Sequence, residues 1–377
     1  MSDAVQSCDR RFGLPWPELN GGLSYEDVVA PSDDGSTLIE FYGSKYRCSA
    51  PLQGWMQRIR NGQIMVDKRV TTNPDEQLRA GLKLVYHRLP WKEPDAPCSI
   101  EILYEDDHMI ALNKPSGLQV LPGGLFQQRT VLSQLQWWER KRTLQMGHEP
   151  QPVPVHRLGR GTSGILLCAK TKIAKSRLSA YFADGTSLIS GTRNVGMEPK
   201  PARKITKFYR ALVDGILAED ELIISQPIGA AKYSGVAKGL YVATTSGKPA
   251  VSKVKVLQRD VERHRTIVQV EIQSGRPHQI RIHLSFIGHP LICDPLYVEG
   301  GKPRCFAFDD VEESFAVDGG HVRPQHALPG DCGYFLHAHQ VIISHPMTDE
   351  VLTITAPLPS ILQTQSEALD SSKSSME

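Results

Sequence analysis

The longest part of the chain, residues 100–362, is a succession of short apolar and polar alternations separated by polar turns. Residues 254–256, 268–272 and 351–353 each place a branched side chain at every second position, which is the period of a half-buried strand. A helical pattern occurs at 174–182. Many short strands with few helices favour an α+β fold with a substantial, largely antiparallel sheet. We therefore predict one large α+β domain over residues 100–362.

A separate small unit is predicted over residues 44–97. Apolar side chains at 52, 55, 56 and 59 lie three or four positions apart, which predicts a helix with one apolar face. Asn61-Gly62 ends that helix, and the alternations around Ile64 and Leu84 predict two strands joined by a polar turn. The order helix, strand, turn, strand resembles the S-four-like RNA-binding domain.

The small unit is also basic, with ten Lys and Arg against five acids, although the whole chain has a net charge of only +2. Arg58, Arg60, Lys68 and Arg69 are expected on the face opposite the apolar one. A basic face of this kind suits a phosphate backbone, and it is equally compatible with an ordinary solvated surface. RNA binding through these side chains and a packing role without RNA therefore both stay open.

The ends of the chain and its connections show no regular period. Residues 1–43 hold eight acids against two arginines and predict an irregular acidic arm. The three prolines of 90–97 predict a stiff linker, and the polar residues 363–377 predict a disordered tail. Residues 184–203 and 300–333 are rich in Gly, Ser, Pro or acids, and they are interpreted as loop insertions.

The composition argues against membrane, secreted and metal-binding classes. No apolar run reaches the length of a membrane span, and the first residues lack a secretory pattern. The seven cysteines are scattered without a CxxC pair, which indicates reduced thiols and no zinc site. We expect a monomer in the cytoplasm or nucleus, with no metal and no membrane partner.

Most of the side chains capable of chemistry fall in a few segments. These segments are residues 102–117, 156–170, 207–215 and 274–297. Each has a plain structural explanation when taken alone, because a single His156 or His278 is more often a hydrogen-bonded structural residue than a ligand. Arg157 could be a surface charge, and Tyr209 could be a core residue with its hydroxyl at the edge.

Taken together and in this order, the segments resemble the RluA family of RNA pseudouridine synthases. The family's central motif HRLDxxTSG corresponds to residues 156–164, and its motif KxYxAxVxG corresponds to 207–215. The motif TGRxHQIRxH, followed by GxPxxGDxxY, is matched from Gly275 to Tyr297. The resemblance covers roughly residues 100–362 and implies the pseudouridine synthase fold and action on RNA without a cofactor. It does not distinguish ribosomal, transfer and messenger RNA.

The resemblance also implies roles for individual residues. The family detaches uracil at nitrogen 1, turns it and rejoins it through carbon 5, so the base has to leave the RNA stack. Tyr209 would stack on the flipped base, Arg157 would fill the gap in the RNA, and Arg281 would hold the catalytic carboxylate. RNA contacts are further expected from His156, His278 and Gln279.

The chain departs from the family at the catalytic carboxylate itself. Gly159 stands where the family has its Asp, and Gly161, two positions on, is also a glycine. No acid occurs between residues 149 and 184, so a substitute would come from Asp294, Asp184 or an insertion. Without a substitute, Arg281 would be a buried cation with no partner, which is costly.

Gly159 leaves three hypotheses. The first is an active RNA pseudouridine synthase with a rearranged catalytic carboxylate, and the second is a non-catalytic RNA-binding protein of the same fold. The third is a structural or partner-binding role without RNA. A carboxylate within hydrogen-bond reach of Arg281, or close to Tyr209, would favour the first hypothesis over the second.

Overall fold

The protein is described from a computed structural model. It describes residues 10–146, 152–187, 204–233, 236–304, 316, 318–320 and 332–374. Most of the insertions predicted at 184–203 and 300–333 therefore lies outside the described residues. No helix within these ranges combines the length and the apolar character that a membrane crossing requires.

The N-terminal part of the chain builds a small sheet covered by helices. Its elements in chain order are β1 (Arg11–Phe12), which joins the large sheet, β2 (Leu23–Val28), α1 (Leu38–Lys45), α2 (Leu52–Arg60), β3 (Ile64–Val66), β4 (Arg69–Thr71) and β5 (Lys83–Arg88). The small sheet has the order β2-β5-β3-β4 and is antiparallel throughout. Trp55 and Ile59 of α2 are fully buried in its core, so the predicted helix is confirmed, but Leu52 of the predicted apolar face is 51% exposed.

The expectation of an irregular acidic arm is wrong for most of residues 10–43. Strand β2 pairs with β5 from Leu23 to Val28, and Leu38 of α1 is fully buried. Thr37 and Glu40 form a reciprocal capping box at the start of α1, which satisfies main-chain N–H groups there. The Gly, Pro and acidic residues belong to the turns and solvent-facing positions of a folded segment. Composition alone does not distinguish such a segment from an irregular arm.

The rest of the chain forms a large sheet with helices packed on it. The elements are β6 (Ile100–Glu105), β7 (Met109–Lys114), α3 (Val131–Met146), β8 (Val153–Pro154), β9 (Ser163–Ala169), α4 (Lys172–Ser187), β10 (Ile205–Asp214), β11 (Glu221–Ile224), β12 (Ile228–Tyr233), β13 (Val236–Ala243), β14 (Ser252–Asp260), β15 (Arg265–Ile272), α5 (Gln279–Phe286), β16 (Tyr297–Glu299), β17 (Lys302–Pro303), β18 (Leu336–Ser344), β19 (Val351–Thr355) and α6 (Gln365–Ser374).

The large sheet has the order β1-β6-β7-β9-β18-β10-β15-β14-β11, with β19 on β18 and β8 on β9. Within the described residues, β9 and β18 form the parallel pair and the other pairs are antiparallel. The predicted α+β class with a largely antiparallel sheet is confirmed. Strands β9, β18 and β10 lie side by side at the centre, so segments far apart in sequence meet there.

The Pro-rich segment 90–97 is packed onto the large domain and is not a free linker. The carboxylate of Glu93, which is buried, accepts hydrogen bonds from the main-chain N–H groups of Gln127, Gln128 and Arg129 at 2.8 to 2.9 Å. This anchoring was not visible in the sequence, because the partners lie more than thirty residues further along the chain.

The expectation of a disordered tail is wrong for residues 365–374, which form α6. Glu367 accepts two hydrogen bonds from the buried guanidinium of Arg210, at 2.8 and 2.9 Å. Thr364 precedes the helix, and its main-chain N–H donates to Glu367 at 2.8 Å. A polar composition predicts disorder only where no buried charge elsewhere in the fold requires a partner.

Candidate active site

The candidate site lies on the face of the sheet that carries Tyr209 in β10. Tyr209 is opposite Val270 of β15 and Ala338 of β18. Ala211 and Val213 follow on the same face and are fully buried, as the alternation predicted. His156 of the loop that enters β9 lines a cavity with Tyr209, and Ile280 of α5 belongs to the apolar cluster against which Tyr209 packs, so three of the sequence motifs converge.

The loop before β9 is held by the Lys-Pro-Ser-Gly turn that follows β7. Lys114 is fully buried, and its Nζ donates to three main-chain carbonyls at 2.8 to 3.1 Å, one of which is that of Arg160. Ser116 Oγ donates to the carbonyl of Gly161 at 2.7 Å. Burial lowers the pKa of Lys114 to about 7. No role was predicted for Lys114 or Ser116, although both lie in a segment that the sequence singled out.

Tyr209 borders a small cavity of about 20 Å³, which has room for about one water molecule. His156, Phe182 and Lys207 line the same cavity. Burial raises the pKa of Tyr209 to about 12, so its hydroxyl stays protonated. Tyr209 therefore lies beside the central motif, as predicted. The cavity is too small for a uracil ring, so the surrounding side chains have to move apart before a base can enter.

His156 is engaged within the protein. Its Nε2 accepts a hydrogen bond from the main-chain N–H of Leu167 at 3.0 Å, and its ring stacks on Phe182 with centroids 4.4 Å apart. Burial and the nearby charge of Lys207 lower the pKa of His156 to about 3. The imidazole is therefore neutral and forms part of the cavity wall.

Arg157, the next residue, is exposed at the edge of the site. Its charge contributes to lowering the pKa of His278, so the loop and the start of α5 lie within electrostatic reach of each other. The predicted insertion of Arg157 into RNA needs an exposed side chain and stays a prediction.

His278 precedes α5 in a left-handed conformation, with φ of 56°. The Tyr297 hydroxyl donates to the carbonyl of Tyr241 at 2.8 Å, so it accepts from His278 Nδ1 at 2.9 Å. Burial and the charge of Arg281 lower the pKa of His278 to about 4. This neutral tautomer leaves Nε2 of His278 as a hydrogen-bond acceptor.

Gln279 is 3% exposed, so the expectation that it contacts RNA is wrong for this conformation. Its amide donates to the carbonyl of Val251 at 3.0 Å and to Ser252 Oγ at 3.1 Å. Its Oε1 accepts from Ser274 Oγ at 2.6 Å. Gln279 therefore uses both ends of its amide to fix the start of α5 against β14.

Arg281 has a carboxylate partner, so the expectation of an unpaired buried cation is wrong. Its Nε and one terminal nitrogen donate to the two oxygens of Asp294 at 2.7 and 2.6 Å, with side chains 3% and 0% exposed. Asp294 Oδ1 also accepts the main-chain N–H groups of Leu296 and Tyr297 at 2.9 and 3.0 Å. Burial lowers the pKa of Arg281, but the bond with Asp294 outweighs this and raises it. Asp294 is thus committed to holding Arg281.

Tyr334, which the sequence did not suggest, fills the space beside Gly159. A Cβ atom on residue 159 would lie 3.0 Å from the Tyr334 hydroxyl and 3.4 Å from Thr162 Oγ1. A Cβ atom on Gly161 would lie 2.8 Å from Cζ of the same ring. The hydroxyl lies 3.3 Å from Thr162 Oγ1, and the guanidinium of Arg281 packs over the ring at 4.2 Å. No local pattern links residues 159 and 334, so only the fold could show this contact.

Comparison with known proteins decides the family. Residues 108–286 match the RNA pseudouridylate synthase family. RNA pseudouridine synthase 5 of Arabidopsis thaliana is 62% identical over 364 residues, which cover 95% of this chain and 98% of that protein. The chain belongs to the RNA pseudouridine synthase family. RNA pseudouridine synthase 5 of Oryza sativa subsp. japonica is 59% identical, covering 96% of this chain and 93% of the relative. Ribosomal large subunit pseudouridine synthase D of Pseudomonas aeruginosa is 31% identical, covering 82% and 83%.

In the small domain of this synthase, Arg58 is not on the surface, contrary to the sequence expectation. It is 2% exposed, and its guanidinium packs over the rings of Trp55 and Tyr86 at 4.7 and 5.1 Å. Its Nε donates to the carbonyl of Asp318 at 3.0 Å. Two aromatic faces and a distant carbonyl compensate the buried charge, and this arrangement leaves Arg58 unable to reach RNA.

The other basic residues of the small domain are exposed as expected. Arg60 ends α2, and Lys68 lies at the tip of the β3–β4 hairpin with a φ of 69°. Arg69 follows in β4 and forms an ion pair with Glu76. These three side chains face solvent and keep the predicted role of contacting RNA phosphates.

Proposed function

We propose that this protein isomerises uridine to pseudouridine in RNA, although residue 159 is a glycine. The observation that carries the proposal is the intact pocket around Tyr209 and the Arg281–Asp294 pair, in a chain 62% identical to a named synthase over 95% of its length. Arg281 packs over the ring of Tyr334, which belongs to the apolar cluster against which Tyr209 also packs, so the pair and Tyr209 are parts of one connected region.

The reaction needs no cofactor or external reactant. The C1′–N1 bond breaks and its electron pair goes to nitrogen 1 of the departing uracil. The base turns, and the C5=C6 double bond supplies the electrons for the new C5–C1′ bond. Carbon 5 then loses its proton to water, and nitrogen 1 gains one, so atoms and charge balance.

The protein supplies a flat contact and a fixed electrostatic environment for these steps. Tyr209 offers its ring to the flipped base, and its hydroxyl stays protonated because burial raises its pKa to about 12. Arg157 is exposed next to the pocket, where its planar guanidinium can stack in the gap that the uridine leaves. Arg281 is fixed in place by Asp294, so it does not need to reorganise as charge develops.

RNA is held further by the exposed residues Arg60, Lys68 and Arg69 of the small domain, which meet phosphates. We propose that the protein acts as a monomer. The described cysteines are free thiols, which supports the cytoplasm or nucleus as the setting. The substrate is ribosomal, transfer or messenger RNA.

The test is to incubate the protein with unmodified transcripts of each RNA class and to quantify pseudouridine after digestion to nucleosides. We expect pseudouridine to accumulate in one class, and not with Tyr209→Leu, which removes the stacking ring. Tight binding of every class with no new pseudouridine would favour the alternative, a non-catalytic RNA-binding protein of the same fold.

A further inference from the structure

The place of the missing carboxylate in this synthase is occupied. Tyr334 precedes β18 and is 4% exposed, and its hydroxyl lies 3.0 Å from the point that a Cβ on residue 159 would reach. Gly159 itself is exposed, so the buried hydroxyl lies directly beneath an exposed position of the loop. A polar hydroxyl therefore borders the space in which the family's carboxylate would act.

The surroundings of Tyr334 leave its proton free to be donated. Thr162 Oγ1 lies 3.3 Å from the hydroxyl, and the main-chain N–H of Thr162 donates to the carbonyl of Gly159 at 3.1 Å, which fixes Thr162 in the loop. When Thr162 is the donor of the pair, the Tyr334 O–H can be given to another acceptor. Burial raises the pKa of Tyr334, so the phenol is neutral and carries a proton to donate.

The guanidinium of Arg281 packs against the face of the Tyr334 ring. It lies 4.2 Å from the ring centroid of Tyr334 and 5.0 Å from that of Tyr297, while Asp294 holds its nitrogens. A cation against an aromatic face is attractive and draws electron density from the ring. The arrangement therefore holds the hydroxyl in one place and makes it a better hydrogen-bond donor.

We propose that Tyr334 is a catalytic residue of this enzyme, whose hydroxyl donates a hydrogen bond to the flipped uridine at the place that a side chain on residue 159 would have reached. The inference rests on the proposed synthase activity. As the C1′–N1 bond breaks, its electron pair moves into the uracil, and a hydrogen bond to a uracil oxygen stabilises that charge. No proton is transferred from Tyr334, so the phenol is unchanged at the end of the cycle.

The glycines of the loop and Tyr334 form one structural unit. A Cβ on Gly161 would lie 2.8 Å from Cζ and 2.9 Å from Cε1 of Tyr334, and 3.1 Å from Cα of Cys332. Contacts this short require the ring or the backbone to move. Gly161 thus makes room for the ring, and Gly159 makes room for its hydroxyl. Gly159 therefore accommodates a different catalytic group, and it does more than mark the loss of the family's carboxylate.

The first experiment compares Tyr334→Phe with Tyr104→Phe, which removes a hydroxyl bonded to Asp106 at 2.6 Å on another strand. Single-turnover release of tritium from uridine carbon 5 is measured at saturating RNA, with RNA affinity and thermal unfolding as further readouts. We expect Tyr334→Phe to lower the rate about 100-fold, the effect of removing one such donor, with affinity unchanged within about twofold. Tyr104→Phe should keep the wild-type rate.

The outcomes separate this inference from the proposed function. If the wild type is active and the rate of Tyr334→Phe is within about threefold of the wild-type rate, the role of Tyr334 is overturned and the proposed function stands. An inactive wild type that still binds RNA overturns the proposed function, and this inference with it.

A second variant, Gly159→Asp, provides an independent check. Its side chain would enter the space that the Tyr334 hydroxyl occupies, so we expect it to slow the reaction about tenfold or more. Removing only the hydroxyl as well, in Gly159→Asp with Tyr334→Phe, relieves the contact at 3.0 Å without opening a cavity, so the double variant should unfold at a higher temperature than Gly159→Asp alone. A faster Gly159→Asp single variant would show that the site lacks a carboxylate and would overturn the role of Tyr334.

Discussion

The buried pair of Arg281 and Asp294 makes a quantitative prediction about stability. Replacing Asp294 by Asn leaves the size of the side chain unchanged. The amide oxygen of Asn can still accept the main-chain N–H groups of Leu296 and Tyr297, which lie 2.9 and 3.0 Å from Asp294 Oδ1 in the wild type. It removes the negative charge that faces the guanidinium at 2.6 and 2.7 Å. The change therefore isolates the buried cation and leaves the local turn largely intact.

The expected loss follows from burial. Removing one partner of a buried ion pair costs about 3–5 kcal/mol, because the other charge stays desolvated without compensation. Asn keeps the main-chain hydrogen bonds, so the lower end of that range applies, about 3 kcal/mol. This is a large share of the roughly 5–15 kcal/mol that stabilises a typical domain.

The assay is urea unfolding at pH 7, followed by circular dichroism. The matched control is Asp349→Asn, which breaks the exposed pair with Lys204, whose side chains are 58% and 48% exposed. That control should lose less than about 1 kcal/mol. Adding Arg281→Met to Asp294→Asn removes both charges and should recover part of the loss. A loss of less than about 1 kcal/mol for Asp294→Asn would refute the reasoning.

Three further predictions concern the loop, the C-terminal helix and RNA binding. Lys114→Met leaves buried carbonyls without their donor, so the free energy of unfolding should fall by about 2 kcal/mol in urea and tritium release should slow. Glu367→Gln should cost about 1 kcal/mol, since Glu367 is 39% exposed. The pKa of Glu367 in the folded state is about 2, and the hydrogen bond from Arg210 is the largest cause of its decrease from 4.5. The stability that Glu367 contributes is therefore fully present above pH 4.5. The difference between wild type and variant should therefore vanish as the pH falls towards 2 in acid unfolding. Replacing Arg60, Lys68 and Arg69 together by Gln should weaken RNA binding and reduce its salt slope by up to about three in filter binding, and an unchanged slope would exclude them as phosphate contacts.

Local patterns were sufficient for elements such as α2 and β10 and for the α+β class, although they missed β2, α1 and α6. The apolar spacing around Trp55 and the alternation around Tyr209 each depend on neighbours a few residues away, and both predictions are confirmed. The same holds for the α+β class, because strand alternation is local and the number of strands limits the architecture.

The errors concern side chains whose partners lie far along the chain. Arg58 looks like a surface charge until the carbonyl of Asp318, 260 residues away, is placed beside it. Glu367 looks like part of a polar tail until it meets Arg210, 157 residues away. The contact between Gly159 and Tyr334 is of the same kind, since a residue with no side chain carries no signal of what fills its place.

The most direct test of the central claim is tritium release by the wild-type protein. RNA from cells that lack this protein is labelled with tritium at uridine carbon 5 and incubated with the purified chain. That hydrogen leaves when the base is rejoined through carbon 5, so release in step with new pseudouridine is the predicted result. Binding of the labelled RNA with no release of tritium would contradict the account, because the chain would then hold RNA without the chemistry.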